Sequence, residues 1–189
     1  MRNFLQVASG ADTLPLLHAI QRQPGLWNAN RIRTTFDNSP HAEVDDILLR
    51  FEDLTEEDAQ SPDLNTKIEN VERKWQPAWD ALPETRALIG PLMLRVGAYE
   101  LARCMITRLA PGGVITPHAD TQGEYANLPD IARYHVVLQG EPGSLFNAGN
   151  ETVMMQTGEV WWFNAHAVHS VVNNSAQDRI HLLVDVRLM

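Results

Sequence analysis

The second half of the chain is a series of short apolar segments separated by turn residues. Many of the intervening residues are Gly, Pro and Asn, which accommodate tight turns. Eight segments have the length and composition of β-strands, near residues 103–109, 114–118, 133–139, 144–147, 151–155, 159–163, 168–173 and 179–186. Because a double-sheet jelly roll is built from eight strands, the sequence predicts a mainly β fold of this cupin-like type, also called a double-stranded β-helix.

The first half has a mixed pattern that we expect to form a flank of helices and strands. Its predicted elements are a helix over 13–22, strands over 31–36 and 46–51, an acidic loop or short surface helix over 52–65, helices over 67–81 and 84–89, and a strand-like segment over 92–96. Trp75 and Trp79 are predicted to be core residues. At 189 residues the chain fits one domain, with residues 1–100 as the flank and residues 101–189 as the jelly-roll core.

Composition and charge argue against several classes of partner. A net charge of −9 and a pI near 5.1 offer no broad basic surface for nucleic acid or an anionic membrane. No apolar run approaches the roughly 20 residues of a spanning helix, and no export signal is visible, so a cytoplasmic protein is expected. The single cysteine, Cys104, lies among apolar residues and is predicted to be buried. No oligomeric state is predicted.

A possible metal site stands at the end of the second core strand. His118 and Asp120 are two residues apart, so in an extended strand end they share a face, and His169 lies on a strand that a jelly roll can bring beside them. Two histidines and one carboxylate are the ligand set of non-haem Fe(II) oxygenases. The alternative is chance, because a His-x-Asp triplet is common and histidines in strands are often only packed. The third ligand could also be His166 in place of His169. Residues three apart on a strand face opposite sides, so at most one of these two histidines points toward the site.

Ten residues beyond His169, Arg179 opens an apolar strand. If it is buried, the guanidinium requires an anionic partner, and a dicarboxylate cosubstrate would provide one. The alternative is a surface arginine paired with Asp178 or solvated. Arg33 and His41 are candidate substrate contacts, because strand alternation would place Arg33 opposite Ile32 and His41 follows the next turn.

Three segments, PGGVITPHAD, RYHVVLQG and GEVWWFNAHAVHSVVNNSAQDRIHLLVDVR, resemble the aspartyl/asparaginyl β-hydroxylase family of 2-oxoglutarate oxygenases over roughly residues 103–187. The resemblance implies iron ligation by His118 and His169 and an anchor at Arg179 for the distal carboxylate of 2-oxoglutarate. It also implies the roles of three further residues: Thr107 assists Arg179, His135 contacts the other end of the cosubstrate, and Arg133 meets cosubstrate or a substrate carboxylate. The best-known animal members lack the carboxylate ligand, which Asp120 restores here, and this brings the chain nearer to bacterial branches that resemble proline hydroxylases.

The implied activity is that of a dioxygenase that uses Fe(II), O₂ and 2-oxoglutarate. It would hydroxylate an unactivated carbon of a free amino acid, or of an Asp/Asn-type side chain in a peptide, and release succinate and CO₂. The segment 121–132 is longer than the corresponding family loop and is predicted to be a lid.

Two rival functions remain open. One is a non-catalytic jelly-roll binding module, which the fold permits but for which an intact set of metal ligands is unnecessary. The other is a cupin-like metalloenzyme that uses Zn²⁺ or Mn²⁺ without 2-oxoglutarate. Arg179 and Thr107 discriminate against the second rival, because it has no need of a 2-oxoglutarate anchor.

Overall fold

The structure, a computed structural model, describes residues 2–120 and 131–189. Its strands are β1 (Phe4–Ala8), β2 (Val44–Glu52), β3 (Arg73–Trp75), β4 (Ala98–Leu109), β5 (Val114–His118), β6 (Ile131–Gln139), β7 (Ser144–Ala148), β8 (Glu151–Val153), β9 (Val160–Phe163), β10 (His169–Asn173) and β11 (Arg179–Leu188). Its α-helices are α1 (Leu14–Gln21), α2 (Ile32–Thr35), α3 (Leu64–Asn70), α4 (Pro77–Ala81) and α5 (Thr85–Val96), with 3-10 turns at Pro24–Leu26 and Glu56–Gln60.

Two antiparallel sheets form the framework. The larger has the order β1-β9-β6-β11-β4-β2-β3 and the smaller the order β5-β10-β7-β8. All eight predicted core strands are present, so the prediction of a mainly β jelly roll is confirmed. Strands β1, β2 and β3 of the flank extend the larger sheet, and the organisation as one domain stays a prediction.

The larger sheet has a different environment on each face. Along β11, Ile180, Leu182 and Val184 pack with apolar residues of α1, α4 and α5, whereas Arg179 and His181 alternate with them and face the interior between the sheets. The space between the sheets therefore combines apolar side chains with buried titratable groups, and the candidate site lies there.

The predicted strand over 31–36 is wrong, because these residues form the one-turn helix α2. Local polar side chains favour the turn: Asn30 accepts a hydrogen bond from the backbone N–H of Ile32 (2.9 Å), and the Thr35 hydroxyl donates to the carbonyl of Arg31 (2.9 Å). Arg33 consequently leaves the expected strand face and pairs with Asp46 of β2.

The predictions for residues 67–96 were also partly wrong. The helix predicted over 67–81, with a kink or break at Pro77, does break before that residue: α3 ends, β3 pairs with the edge of β2, and α4 starts at Pro77. The strand-like segment predicted over 92–96 is wrong, because these residues are the end of α5. Helix α5 continues through Pro91 to Val96, because packing of Ile89 and Leu92 in the core outweighs the lost backbone hydrogen bond.

The structure also differs from the predictions at Trp75 and at the N-terminal strand β1. Trp75 is 51% exposed on β3 and is not a core residue, whereas Trp79 is half-buried against the core and contacts the Trp75 ring at 4.3 Å. Strand β1 was not predicted. Cys104 is buried as expected. In the described part of the chain, no helix has the length and apolar character needed to traverse a bilayer.

The docking of α2 depends on a buried ion pair. Arg33 donates Nε and Nη2 to the two carboxylate oxygens of Asp46 at 2.8 and 2.7 Å, and the Asp46 side chain is only 2% exposed. We expect Asp46→Asn to lower the free energy of unfolding by about 3 to 5 kcal/mol, since it leaves a buried charge without its partner. The neighbouring Asp45 is 36% exposed and pairs with Arg108, so Asp45→Asn should cost under about 1 kcal/mol. Similar losses in urea melts of the two variants would contradict this account.

Candidate metal centre and adjoining cavity

Three potential ligands meet where β5 ends and β10 begins. His118 and His169 are direct partners in the register of the two strands, and Asp120 follows β5 by two residues. One potential ligand atom from each of the three residues lies within 4.8 Å of the others, and the imidazole centroids are 4.2 Å apart. Strand pairing thus brings His118 and His169, which are 51 positions apart in the sequence, side by side. His166 lies outside the strand and is exposed.

Both histidines are oriented by backbone carbonyls. Nδ1 of His118 donates to the carbonyl of Thr116 at 2.8 Å, and Nδ1 of His169 donates to that of Ala167 at 2.9 Å. These bonds leave Nε2 of each ring available, as outer hydrogen bonds commonly do for metal ligands, and Nε2 of His118 lies 3.7 Å from Oδ1 of Asp120. Nε2 of His118 is buried and has no hydrogen-bond partner among the described residues. An unpartnered imidazole nitrogen beside a carboxylate fits a divalent metal of the first transition series.

The surrounding electrostatics keep His169 and Asp120 in the forms that bind a metal. Burial lowers the pKa of His169 to about 4 despite the opposing charge of Asp120. Burial by itself would raise the pKa of Asp120, but the positive charges around it, foremost that of Arg133, outweigh burial and hold the pKa below its ordinary value. His169 is therefore neutral and Asp120 ionised at neutral pH, which metal coordination requires.

Arg133 is held by two carboxylates. It donates Nε and Nη2 to Asp185 at 2.7 and 2.9 Å, and its Nη1 contacts Asp120. The structure thus brings Arg133 to a candidate metal ligand. Sequence reasoning missed Asp185, although an aspartate in the apolar run LLVDV is a recognisable signal.

A second polar group lies deeper between the sheets. Arg179 is buried, its guanidinium carbon lies 5.5 Å from the ring centroid of Phe146, and its Nη2 has no hydrogen-bond partner among the described residues. Thr107 is buried on β4, directly opposite His181 on β11. The predicted cosubstrate residues Arg179, Thr107 and His135 thus share the interior face of the larger sheet.

His135 and His181 form a buried pair. Their Nδ1 atoms are 3.0 Å apart, and both Nε2 atoms are buried without a partner among the described residues. Burial, followed by the charge of Arg179, lowers the pKa of each well below its ordinary value. In the neutral pair one Nδ1 donates and the other accepts, so one Nε2 carries a proton and the other a lone pair.

Burial also lowers the pKa of Arg179, to about 9, which leaves the guanidinium charged at neutral pH. A buried cation with an unused donor is costly unless an anion joins it. The arrangement can therefore accept a carboxylate, with the adjacent imidazole N–H as a further donor.

The buried histidine pair predicts acid sensitivity. Because the folded-state pKa values lie below the unfolded value of about 6.5, the unfolded chain binds more protons as pH falls. The free energy of unfolding should therefore decrease below about pH 6.5, by up to about 1.4 kcal/mol per pH unit for each of the two. Urea melts from about pH 8 to about pH 5 measure this slope.

A matched pair of variants tests the origin of the slope. His181→Asn should reduce it, whereas His18→Gln, at an exposed position on α1, should leave it unchanged. Equal slopes for both variants would show that the buried pair is not responsible.

A cavity of about 280 Å³ adjoins the metal ligands on the side of the flank. His118, Asp120 and Arg133 line one end of it, together with Arg33 and His41. The ring of His41 lies 4.7 Å from that of His118, its Nδ1 is buried without a partner among the described residues, and burial lowers its pKa well below the usual value. Both predicted substrate contacts therefore lie at the metal end of the cavity.

Apart from Glu52 and Arg103, the remaining wall is apolar, and part of it comes from segments to which the sequence assigned no chemistry. Leu54, Leu64 and Ile68 belong to or adjoin the acidic stretch that was interpreted as a solvated surface. Isolated apolar residues in an otherwise charged segment were the available signal. The predicted lid falls mainly on residues 121–130, which lie outside the described part of the chain.

The sequence comparisons give the family. A model of the family described as Aspartyl/Asparaginyl beta-hydroxylase matches residues 37–188. The chain belongs to this family. An oxygenase of the hydroxylase type is thereby confirmed at the level of the family.

Curated relatives of this β-hydroxylase family member include L-proline cis-3-hydroxylase 1 of a Streptomyces species, 32% identical over 80 residues, or 42% of this chain. L-proline cis-4-hydroxylase of Rhizobium meliloti is 31% identical over 81 residues, again 42% of this chain. The matched segment spans 28% of the length of each relative.

Solved structures agree on the fold of this family member. A prolyl-4-hydroxylase of Pseudomonas putida aligns with a TM-score of 0.55 and 14% identity, covering 100% of this chain and 94% of its own. An oxidoreductase of the 2OG-Fe(II) oxygenase family from Burkholderia pseudomallei gives 0.53 and 14%, covering 90% of this chain and 78% of its own. At this level of identity the agreement concerns the architecture alone.

Proposed function

We propose that this protein is an Fe(II)- and 2-oxoglutarate-dependent dioxygenase that hydroxylates an aliphatic carbon of an amino acid. His118, Asp120 and His169 hold the iron and leave positions open for cosubstrate and O₂. Arg179, assisted by Thr107, anchors the distal carboxylate of 2-oxoglutarate. His135 contacts the cosubstrate, and Arg133 orients the metal-binding carboxylate of Asp120.

One observation carries the proposal. A set of two histidines and one carboxylate, with an unpartnered Nε2, stands on the same interior that contains a buried guanidinium with an unused donor. A metal site alone would also suit a hydrolytic cupin, and a buried arginine alone would suit many anions. The combination favours a cosubstrate that presents a carboxylate to the arginine and reaches the metal with its other end.

When bound together, iron, 2-oxoglutarate and O₂ supply the oxidising chemistry, with succinate and CO₂ as products. The protein contributes the rest by binding and orientation. The carbonyls of Thr116 and Ala167 fix the two imidazoles, and the phenyl rings of Phe146 and Phe163 exclude water around His135 and Arg179. In this proposal the substrate occupies the cavity of about 280 Å³, which is lined by His118 and Asp120.

The amino-acid substrate class is supported by the resemblance to the two proline hydroxylases. An amino acid is also compatible with the polar end of the cavity, where Arg33 and His41 stand beside the metal ligands.

An anaerobic Fe(II) titration with and without 2-oxoglutarate tests the proposal. We expect a weak visible charge-transfer band that needs both components, followed on admission of air by succinate release that depends on an added amino acid. Metal binding without the band would instead favour a metalloenzyme that does not use 2-oxoglutarate. No metal binding would favour a non-catalytic jelly-roll module.

A further inference from the structure

We infer that the cavity beside the metal centre receives an extended apolar side chain, so that the substrate is an amino acid with a long aliphatic side chain in preference to aspartate, asparagine or proline. That the substrate reacts beside the metal ligands rests on the proposed function. That the group entering the cavity is apolar is argued from the cavity lining alone.

Most of the cavity lining beyond its metal end is apolar, and the two charged residues there, Glu52 and Arg103, are paired with each other. Three of its members, Ile32, Phe51 and Leu54, are nearly fully buried, and Leu64 and Ile68 of α3 pack against the same cluster. Met105 and Leu183 of the larger sheet complete the apolar surface. An aliphatic chain in contact with this wall gains free energy with every methylene removed from water.

The cations that line the cavity are already engaged by carboxylates. Arg33 is paired with Asp46, Arg103 donates Nε to Glu52 at 2.6 Å, and Arg133 is paired with Asp185 and contacts Asp120. A carboxylate or carboxamide side chain that entered would lose its hydration and compete with these existing pairs. The side chains of aspartate and asparagine, after which the family is named, are therefore disfavoured inside the cavity.

Polar recognition is confined to the metal end. Arg33 uses Nε and Nη2 on Asp46, which leaves Nη1 outside that pair, and Nδ1 of His41 is buried without a partner among the described residues. These two atoms can take the polar head of an amino acid while its side chain lies along the wall. The volume of about 280 Å³ is near the lower end of small-molecule pockets, about 300 to 1,000 Å³, which suits one amino acid.

A homologous series of ligands provides a direct test. Binding of L-alanine, L-2-aminobutyrate, L-norvaline and L-norleucine is measured by calorimetry on the full chain, with Mn(II) and 2-oxoglutarate present and again without them. We expect affinity to rise about fourfold per methylene along the series. L-Leucine and L-asparagine have nearly the same shape, so leucine should bind at least about tenfold more tightly if the cavity selects apolar groups.

Two substitutions at the wall are compared with one elsewhere. Leu64→Trp fills the cavity and should lower the binding affinity for L-norleucine by about tenfold or more, with little change in the affinity for L-alanine. Ile68→Ala removes wall contacts and should also weaken norleucine selectively, which keeps the test valid if the tryptophan variant does not fold. Leu94→Trp, at a position on α5 that is 86% exposed, should change neither.

The outcomes separate the inference from the proposed function. The proposed substrate class is wrong if affinity does not rise along the series, or if asparagine, aspartate or proline binds more tightly than norleucine. In that case a charge-transfer band that depends on 2-oxoglutarate would still support the proposed function. A rising series without that band overturns the proposed function and supports the assignment of the cavity.

Discussion

Replacing Arg179 by methionine should weaken 2-oxoglutarate binding by about a hundredfold and at the same time stabilise the ligand-free protein. The loss follows from removing one partner of a buried charge pair, which costs about 2 to 5 kcal/mol, or roughly 30-fold to 4,000-fold in affinity. The gain follows from removing a buried cation whose Nη2 has no hydrogen-bond partner among the described residues. Leaving such a group unsatisfied costs about 1 to 3 kcal/mol, so the free energy of unfolding should rise by about that amount.

Both halves of this prediction are measurable on one pair of proteins. The charge-transfer band, titrated with 2-oxoglutarate at saturating Fe(II), reports affinity, and urea melts without ligand report stability. Arg108→Met is the matched control, because Arg108 lies on β4, pairs with the half-exposed Asp45 and stacks on Trp27 at 4.5 Å. If the Arg179 variant retains its 2-oxoglutarate affinity, the anchor lies elsewhere.

Replacing His169 by alanine should abolish detectable Fe(II) binding, with an affinity loss of at least about a hundredfold. The change removes one of three protein ligands, and even the loss of an outer partner of a ligand typically costs about tenfold to a hundredfold. A metal at a hundred times its dissociation constant stabilises a protein by about 2.7 kcal/mol, so the variant should also lose the metal-dependent rise in melting temperature. Anaerobic calorimetry and thermal melts with and without Fe(II) measure the two effects.

His166→Ala is the control for this experiment, since His166 is exposed and lies only three residues before His169. It should bind Fe(II) like the unmodified protein. An equal loss in both variants would mean that the metal is held by a set of ligands other than His118, Asp120 and His169.

The core half of the molecule was predictable because strand and turn signals there are local and consistent. Most apolar segments from residue 103 onward adjoin a Gly, Pro or Asn turn, and every strand predicted there formed. The proximity of His118 and His169 also follows from the fold, since jelly-roll pairing places their strands side by side. The family resemblance was confirmed by the match over residues 37–188, whereas the cytoplasmic location and the roles of the individual site residues stay predictions.

The flank was less predictable because its structure depends on contacts that are distant in sequence. Alternating Ile32 and Phe36 suggested a strand, but hydrogen bonds from neighbouring side chains and the pairing of Arg33 with Asp46 stabilise a helix instead. Pro91 suggested a helix end, but burial of Leu92 carries α5 past it. The aspartate in the apolar run LLVDV is a local signal that Asp185 is paired, but that Arg133 joins Asp185 to Asp120 depends on strand pairing and could not be predicted locally.

The position of α2 has a consequence for how the protein can diversify. Ile32 and Arg33 line the cavity but precede residue 37, where the match to the family begins, whereas His118, Asp120 and His169 lie well inside it. If the proposed function holds, part of the cavity lining is thus encoded in a stretch of sequence that precedes the three proposed metal ligands and the match to the family. On that proposal, changes confined to α2, and in the laboratory libraries at α2 and α3, would alter the selectivity of the cavity while the proposed metal ligands stay the same.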